Sequence, residues 1–112
     1  MKTFITFIKS MNVIAKRTIL YYIEKYPKAK TALLTWLKEF EKEKFESFNA
    51  LKERYGNASI VANQRVIFNI KGNDFRLITA INFRAQAAYV IGFGTHTDYD
   101  RIDATSIKHI EL

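Results

Sequence analysis

Apolar residues recur at helical spacing through the first half of the chain and at strand spacing through the second. Between Ala15 and Tyr26, the residues Ile19, Tyr22, Ile23 and Tyr26 fall three or four positions apart, the spacing that gathers side chains on one face of an α-helix. Pro27 is expected to end that helix, because proline disfavours helical geometry in the residue before it. It also suits the first turn of a second helix, in which Ala29, Leu33, Trp36, Leu37 and Phe40 continue the stripe while Lys38, Glu39, Glu41 and Lys42 turn to water. The alternating charges of EFEKEKFE, residues 39–46, are expected to form the solvated end of that helix. Ser47 can cap a short third helix, FNALKERY, which Gly56 would end.

Beyond Gly56 the period shortens. SIVAN, RVIFNI, DFRLITAINF and AAYVIGFG carry β-branched and aromatic residues in short runs between turn residues. Asn63-Gln64, Gly72-Asn73 and Arg84-Ala85-Gln86 are the expected hairpin turns, which makes the runs an antiparallel meander. In the longest strand, alternation places Phe75, Leu77, Thr79, Ile81 and Phe83 on one face and Arg76, Ile78, Ala80, Asn82 and Arg84 on the other. The first set should pack on the helices; the second should be a face with two arginines in place of a core. The implied fold is α+β, a helical hairpin on one face of a twisted antiparallel sheet. MNVIA, from Met11, adds a short strand near the start, and DYDRIDATS reads as a short helix or turn closing the sheet edge. Residues 1–10 are expected to be an upstream extension of a single domain spanning 11–112; the competing reading makes FITFI an extra edge strand.

Composition narrows the class. At 112 residues, 48% hydrophobic and 14% aromatic, the chain can bury one core and has no need of disorder. The absence of cysteine removes disulfides and thiolate metal sites, which fits a reducing cytoplasm. No apolar run approaches the roughly 20 residues of a spanning helix, so no membrane partner is expected. The net charge of +7 favours a polyanionic partner, and the charge is unevenly placed. Residues 1–30 hold seven Lys/Arg against Glu24, residues 31–58 hold five of each sign, and residues 59–97 hold Arg65, Lys71, Arg76 and Arg84 against Asp74. The last fifteen residues turn acidic.

Several chemistries drop out. There is no Gly-rich phosphate loop and no His-Glu-x-x-His spacing, and Gly92-Phe93-Gly94 at a strand end marks a bend rather than a dinucleotide site. With only His96 and His109 available, neither a metal nor another cofactor is expected. The informative stretch runs from Asn69 to Asp100. A meander would bring the strand of Arg76 beside the strand leading to His96, gathering Lys71, Arg76, His96 and Tyr99 near one sheet face. A metal-free ribonuclease can use such side chains, because RNA supplies its own 2′-hydroxyl nucleophile and needs only proton transfer, charge stabilisation and alignment. Bland readings stand beside this one. His96 can be a hydrogen-bonded structural residue, Lys71 a solvated turn residue, Tyr99 a packed ring and Asp100 a helix cap. Residue types and spacing leave the choice open.

The run VIFNIKGNDFRLITAINF, followed by AYVIGFGTHTDYDRID, resembles the HigB family of toxins within the RelE/ParE superfamily. The family's pattern is carried by Phe68 to Asn73, by Arg76-Leu77 and by Thr95 to Asp100. The likeness extends more loosely from Met11 to about Asp103. It implies a RelE-like fold, cleavage of mRNA on translating ribosomes without a metal, and neutralisation by a HigA-type antitoxin. It also implies functional positions at Asn69, Lys71, Asn73, Arg76, His96 and Tyr99. In that reading Arg76 meets the scissile phosphate, Lys71 stabilises the phosphate or acts as base, and His96 with Tyr99 moves protons. Arg65, Arg84 and the basic first helix, with Lys16 and Arg17, would track RNA or ribosomal phosphates. The alternatives are a ParE-like toxin that binds a protein such as gyrase, and a non-catalytic RNA-binding module.

Overall fold

The helical stripes find their partner surface on one side of a five-stranded sheet. The computed structural model describes residues 10–101; Phe4, Phe7, His109 and the tail beyond Arg101 lie outside it, as do all but the last residue of the expected extension 1–10 and the whole of the alternative strand FITFI. The elements are β1 (Asn12–Ile14), α1 (Lys16–Lys25), a 3₁₀ turn (Pro27–Ala29), α2 (Lys30–Phe40), α3 (Phe48–Arg54), β2 (Ser59–Val61), β3 (Arg65–Ile70), β4 (Phe75–Asn82), β5 (Ala87–Thr95) and α4 (His96–Asp100). The sheet order is β1-β5-β4-β3-β2. Strands β2 to β5 form the expected antiparallel meander. β1, however, runs parallel to β5, with Asn12 opposite Ala87 and Ile14 opposite Tyr89. The chain leaves β1 through three helices and the three strands β2, β3 and β4 before it returns, and a connection of that length permits a parallel pair.

Burial follows the two periods. Ile19 and Tyr22 of α1, Ala29, and Leu33, Trp36 and Phe40 of α2 are buried against Val66, Phe68 and Ile70 of β3, Phe75, Leu77 and Ile81 of β4, and Ala88, Val90 and Phe93 of β5. Trp36 and Phe40 stack on each other and both meet the Phe68 ring. Thr79 is also buried on this face, and its hydroxyl donates to the Val66 carbonyl at 2.9 Å, which removes the cost of an unpaired polar group. Ser47 caps α3 as expected, its hydroxyl accepting from the Ala50 N–H at 3.1 Å.

Three local expectations need correction. The charged run 39–46 is mostly not helix: α2 stops at Phe40, and the chain then turns so that Phe45 enters the core. Burying that ring outweighs a further solvated turn, and the Gln86 side chain fastens the bend by donating to the Phe45 carbonyl and accepting from its N–H. The β3–β4 turn has its left-handed residues at Lys71 and Gly72 rather than at Gly72-Asn73, because Ile70 pairs with Phe75 and leaves four residues in the loop. The helix-free sheet face, finally, is not wholly polar. Ile67, Ile78 and Ile91 form a small buried cluster there, with Val61, Ala80 and Tyr99 packed against it.

Candidate active site

Adjacent rows of the sheet bring the polar residues together. On the helix-free face Arg76 lies between Asn69 of β3 and Gly94 of β5. This register depends on a bulge. From Asn82↔Ala87 to Thr79↔Val90 the pairing is regular, but Ile78 pairs with Gly92, so Ile91 is an extra residue on β5. Without it Phe93 would stand opposite Arg76, and the ring that stacks on Tyr22 and Phe75 would point away from the core.

After β5 the chain folds back at once into α4. Thr95 begins that helix with a capping box: its hydroxyl accepts from the Asp98 N–H at 3.1 Å, and the Asp98 carboxylate accepts from the Thr95 N–H at 3.2 Å. The Tyr26 hydroxyl, from the end of α1, donates to the same carboxylate at 3.3 Å. These bonds, the one to the Thr95 backbone foremost, hold the Asp98 carboxyl below its ordinary range. The Tyr26 phenol is shifted upward, first by burial and then by the neighbouring Asp98 charge. A β-carbon on Gly94 would lie 3.1 Å from the Asp98 β-carbon and 3.2 Å from a carboxylate oxygen, so any larger residue there would push the returning α4 outward by a few tenths of an ångström. The His96 N–H donates to the Asp74 carbonyl at 3.0 Å, which ties the start of α4 to the β3–β4 turn.

His96 thereby meets Arg76, with guanidinium Nη2 and imidazole Nδ1 3.2 Å apart. Arginine has only donors to offer, so Nδ1 is the acceptor and the ring proton sits on Nε2, facing the Asp100 carboxylate at 3.7 Å. Asp100 is therefore not a helix cap; that position belongs to Thr95. The same guanidinium donates to the Asn73 carbonyl at 3.0 Å and to its side-chain oxygen at 3.1 Å. It is thus held by the turn on one side and by the imidazole on the other. Lys71 sits on this turn with its ammonium 3.8 Å from Asp74. Tyr99 follows His96 at three residues along α4, a spacing that shares a helix face, and its ring packs on the isoleucine cluster.

The structure thus joins Arg76, Asn73 and His96 directly, with Lys71 on the same turn, Asn69 opposite Arg76 on the neighbouring strand and Tyr99 on the same short helix. The proposed phosphate-tracking residues are dispersed. Arg65 is opposite Ala80, towards the other end of the sheet face, and Arg84 lies in the β4–β5 turn. Lys16 is ion-paired with Glu41 at 2.8 Å on the surface. Arg17 lines a separate groove by β1. Asp74 and Asp98 were missed from the sequence as site-forming residues, although the Thr95-x-x-Asp98 spacing is itself a readable capping signal. Among the described residues no group of three or more His, Asp or Glu side chains could hold a metal ion, and no helix is long and apolar enough to cross a membrane.

Helices on one face of a mostly antiparallel sheet, with a cation–imidazole cluster on the opposite face, define a RelE-like α+β domain. Residues 29–102 match the family described as HigB_toxin, RelE-like toxic component of a toxin–antitoxin system, and the chain belongs to that family. Membership makes it the toxic half of such a pair, with a cognate antitoxin as partner. Among curated proteins it is similar to the mRNA interferase toxin HigB of Escherichia coli (strain K12), with 27% identity over 92 residues, covering 80% of this chain and 88% of that protein. The mRNA interferase HigB proteins of Escherichia coli O157:H7 and Shigella flexneri match to the same extent.

Proposed function

We propose that this toxin is an endoribonuclease that cuts mRNA on the ribosome, in the cytoplasm, and that Arg76 and His96 carry the reaction. The observation behind this reading is the 3.2 Å contact between the Arg76 guanidinium and His96 Nδ1. In the free protein the guanidinium occupies the imidazole lone pair. A scissile phosphate is a stronger acceptor for a guanidinium than a neutral ring nitrogen. When Arg76 turns to the phosphate, Nδ1 is left free beside the 2′-hydroxyl. His96 then takes the hydroxyl proton, the 2′-oxygen bonds to phosphorus, and the bond to the 5′-oxygen breaks. The products are a 2′,3′-cyclic phosphate and a 5′-hydroxyl. Asp100, facing Nε2–H, stabilises the imidazolium that forms. Arg76 and Lys71 balance charge on the phosphorane, Asn69 and Asn73 align the strand, and Tyr99 supplies the proton to the leaving 5′-oxygen, regaining it through solvent from His96. No step requires a metal.

The same reading makes residues 11–112 the toxin domain, residues 1–10 an upstream extension and the neutralising partner a HigA-type protein. The test is transcript-end mapping on ribosomes with purified variants. Arg76→Ala should slow cleavage by roughly 10²–10³-fold, the scale for removing one preorganised electrostatic contact. His96→Gln should cost on the order of 10²-fold or more. Both proteins should remain folded and bind antitoxin. EDTA should have no effect once ribosomal magnesium is restored. Parental cutting by both folded variants would remove the site assignment; growth arrest and gyrase inhibition with no transcript cut by the parent would remove the ribonuclease reading.

A further inference from the structure

A second feature of the helix-free face lies about four residues along the strands from Arg76. One row of the sheet there reads Ile14, Tyr89, Ala80 and Arg65 across β1, β5, β4 and β3. Tyr89 is 43% exposed and Ile14 37% exposed, and the Tyr89 ring makes no hydrogen bond or ring contact among the described residues. Ala80, between two larger neighbours, leaves a hollow beside that ring. Arg17 and Thr18 of α1 line the same groove as that ring. The result is a groove of about 490 Å³ whose lining includes Ile14, Ala80, Tyr89 and Ile91 together with Arg17. No carboxylate pairs with Arg17 among the described residues. Since Arg76 and Ala80 point to the same face, the groove begins about 14 Å from the cluster, at roughly 3.4 Å per residue. A few nucleotides of extended single strand cover that distance.

We propose that this groove is a nucleobase subsite for single-stranded RNA, in which Tyr89 stacks on one unpaired base and Arg17 meets the adjoining phosphate. The proposal rests on the ribonuclease reading for the identity of the strand, but the groove has its own physical basis. An exposed aromatic face next to a cation that has no carboxylate partner among the described residues is the pair of features that binds single strands without demanding a particular base. The apolar lining suits the flat faces of a base, while the charge of Arg17 suits the anionic backbone. A protein occupant would need matching carboxylates for Arg17 and a much larger apolar contact than Ile14 and Tyr89 offer. Tyr89 and Arg17 are thus binding residues distinct from the cleavage cluster, and they fix which stretch of strand lies over Arg76.

The test uses the full chain and a short fluorescent single-stranded RNA, with a series in which one position at a time is abasic. Tyr89→Ala should weaken binding by about tenfold, within the range for loss of one base–aromatic stack, and Tyr89→Trp should restore it. In the parent, one abasic position should cost a similar factor, and that penalty should vanish in Tyr89→Ala. Arg17→Ala should reduce the dependence of affinity on salt. For cleavage on ribosomes, Tyr89→Ala should raise KM with kcat nearly unchanged, whereas damage to the catalytic cluster lowers kcat. Parental RNA affinity and KM in a folded Tyr89→Ala protein would overturn the proposal. So would loss of antitoxin affinity with RNA binding intact, which would make the groove a protein surface. A parent that binds RNA through Tyr89 but cuts no transcript would sink the ribonuclease reading and leave the subsite standing.

Discussion

Replacing Asp98 by alanine should loosen α4 without unfolding the domain. A five-residue helix has almost no stability of its own, because nucleation fixes several residues before many hydrogen bonds are gained. Here Asp98 supplies what propensity lacks: its carboxylate accepts from the Thr95 N–H and from the Tyr26 hydroxyl, joining α4 to the end of β5 and to α1. Both bonds are exposed, so they contribute less than buried charge-assisted ones, and about 1–2 kcal/mol for the pair is consistent with the usual range for helix caps. Amide exchange in residues 95–101 should accelerate by roughly 5- to 30-fold, since about 1.4 kcal/mol is a factor of ten, while exchange in β3 and β4 stays as in the parent. The sign with pH follows from the lowered carboxyl. Because Asp98 titrates lower when folded than when unfolded, its contribution is present above the ordinary Asp range and is lost as pH falls through the folded value. Protection of α4 in the parent should fade in acid sooner than protection of the core, and in Asp98→Ala this extra acid sensitivity should disappear. Unchanged exchange across 95–101, or equal loss of protection throughout the sheet, would refute this account of what holds His96 in place.

Three further outcomes test other parts of the structure. A chain beginning at Met11 should fold with nearly unchanged stability; a loss above about 2 kcal/mol, the scale of burying one large apolar side chain, would put Phe4 or Phe7 in the core. Phe68→Ala removes a buried ring that meets Trp36, Phe40 and Tyr55, and should cost about 3–5 kcal/mol in denaturant unfolding followed by the fluorescence of Trp36. A cost below 1 kcal/mol would contradict its central place. Affinity for ribosomes should fall steeply with salt as counterions are released. Arg84→Ala should flatten that slope with little change in cleavage chemistry, and an unaltered slope would remove Arg84 from the phosphate track.

The alternation of residue types was enough, on its own, to determine the helical pair, the four strands of the meander and the face each β4 residue takes. Those properties depend on neighbours three, four or two positions away, and the hydrophobic effect acts on them whatever the rest of the chain does. The turn from α2 into the Phe45 bend was not legible, because alternating charge looks the same on a solvated helix and on a loop pinned by a distant glutamine. Nor was the parallel pairing of β1, which depends on where the sheet edge lies once the meander has formed. The candidate site shows the same division. The residue types at 69–76 and 95–100 suggested phosphate chemistry and the family, but the contact between Arg76 and His96 required the extra residue at Ile91, a glycine that lets Asp98 approach, and a cap anchored by Tyr26 from 72 residues away. Register and close approach arise from packing summed over the whole domain, and a one-residue slip reverses every side chain on a strand. Only the tertiary structure could therefore decide which polar residues meet, and that Tyr89 lies open beside Arg17 on the same face.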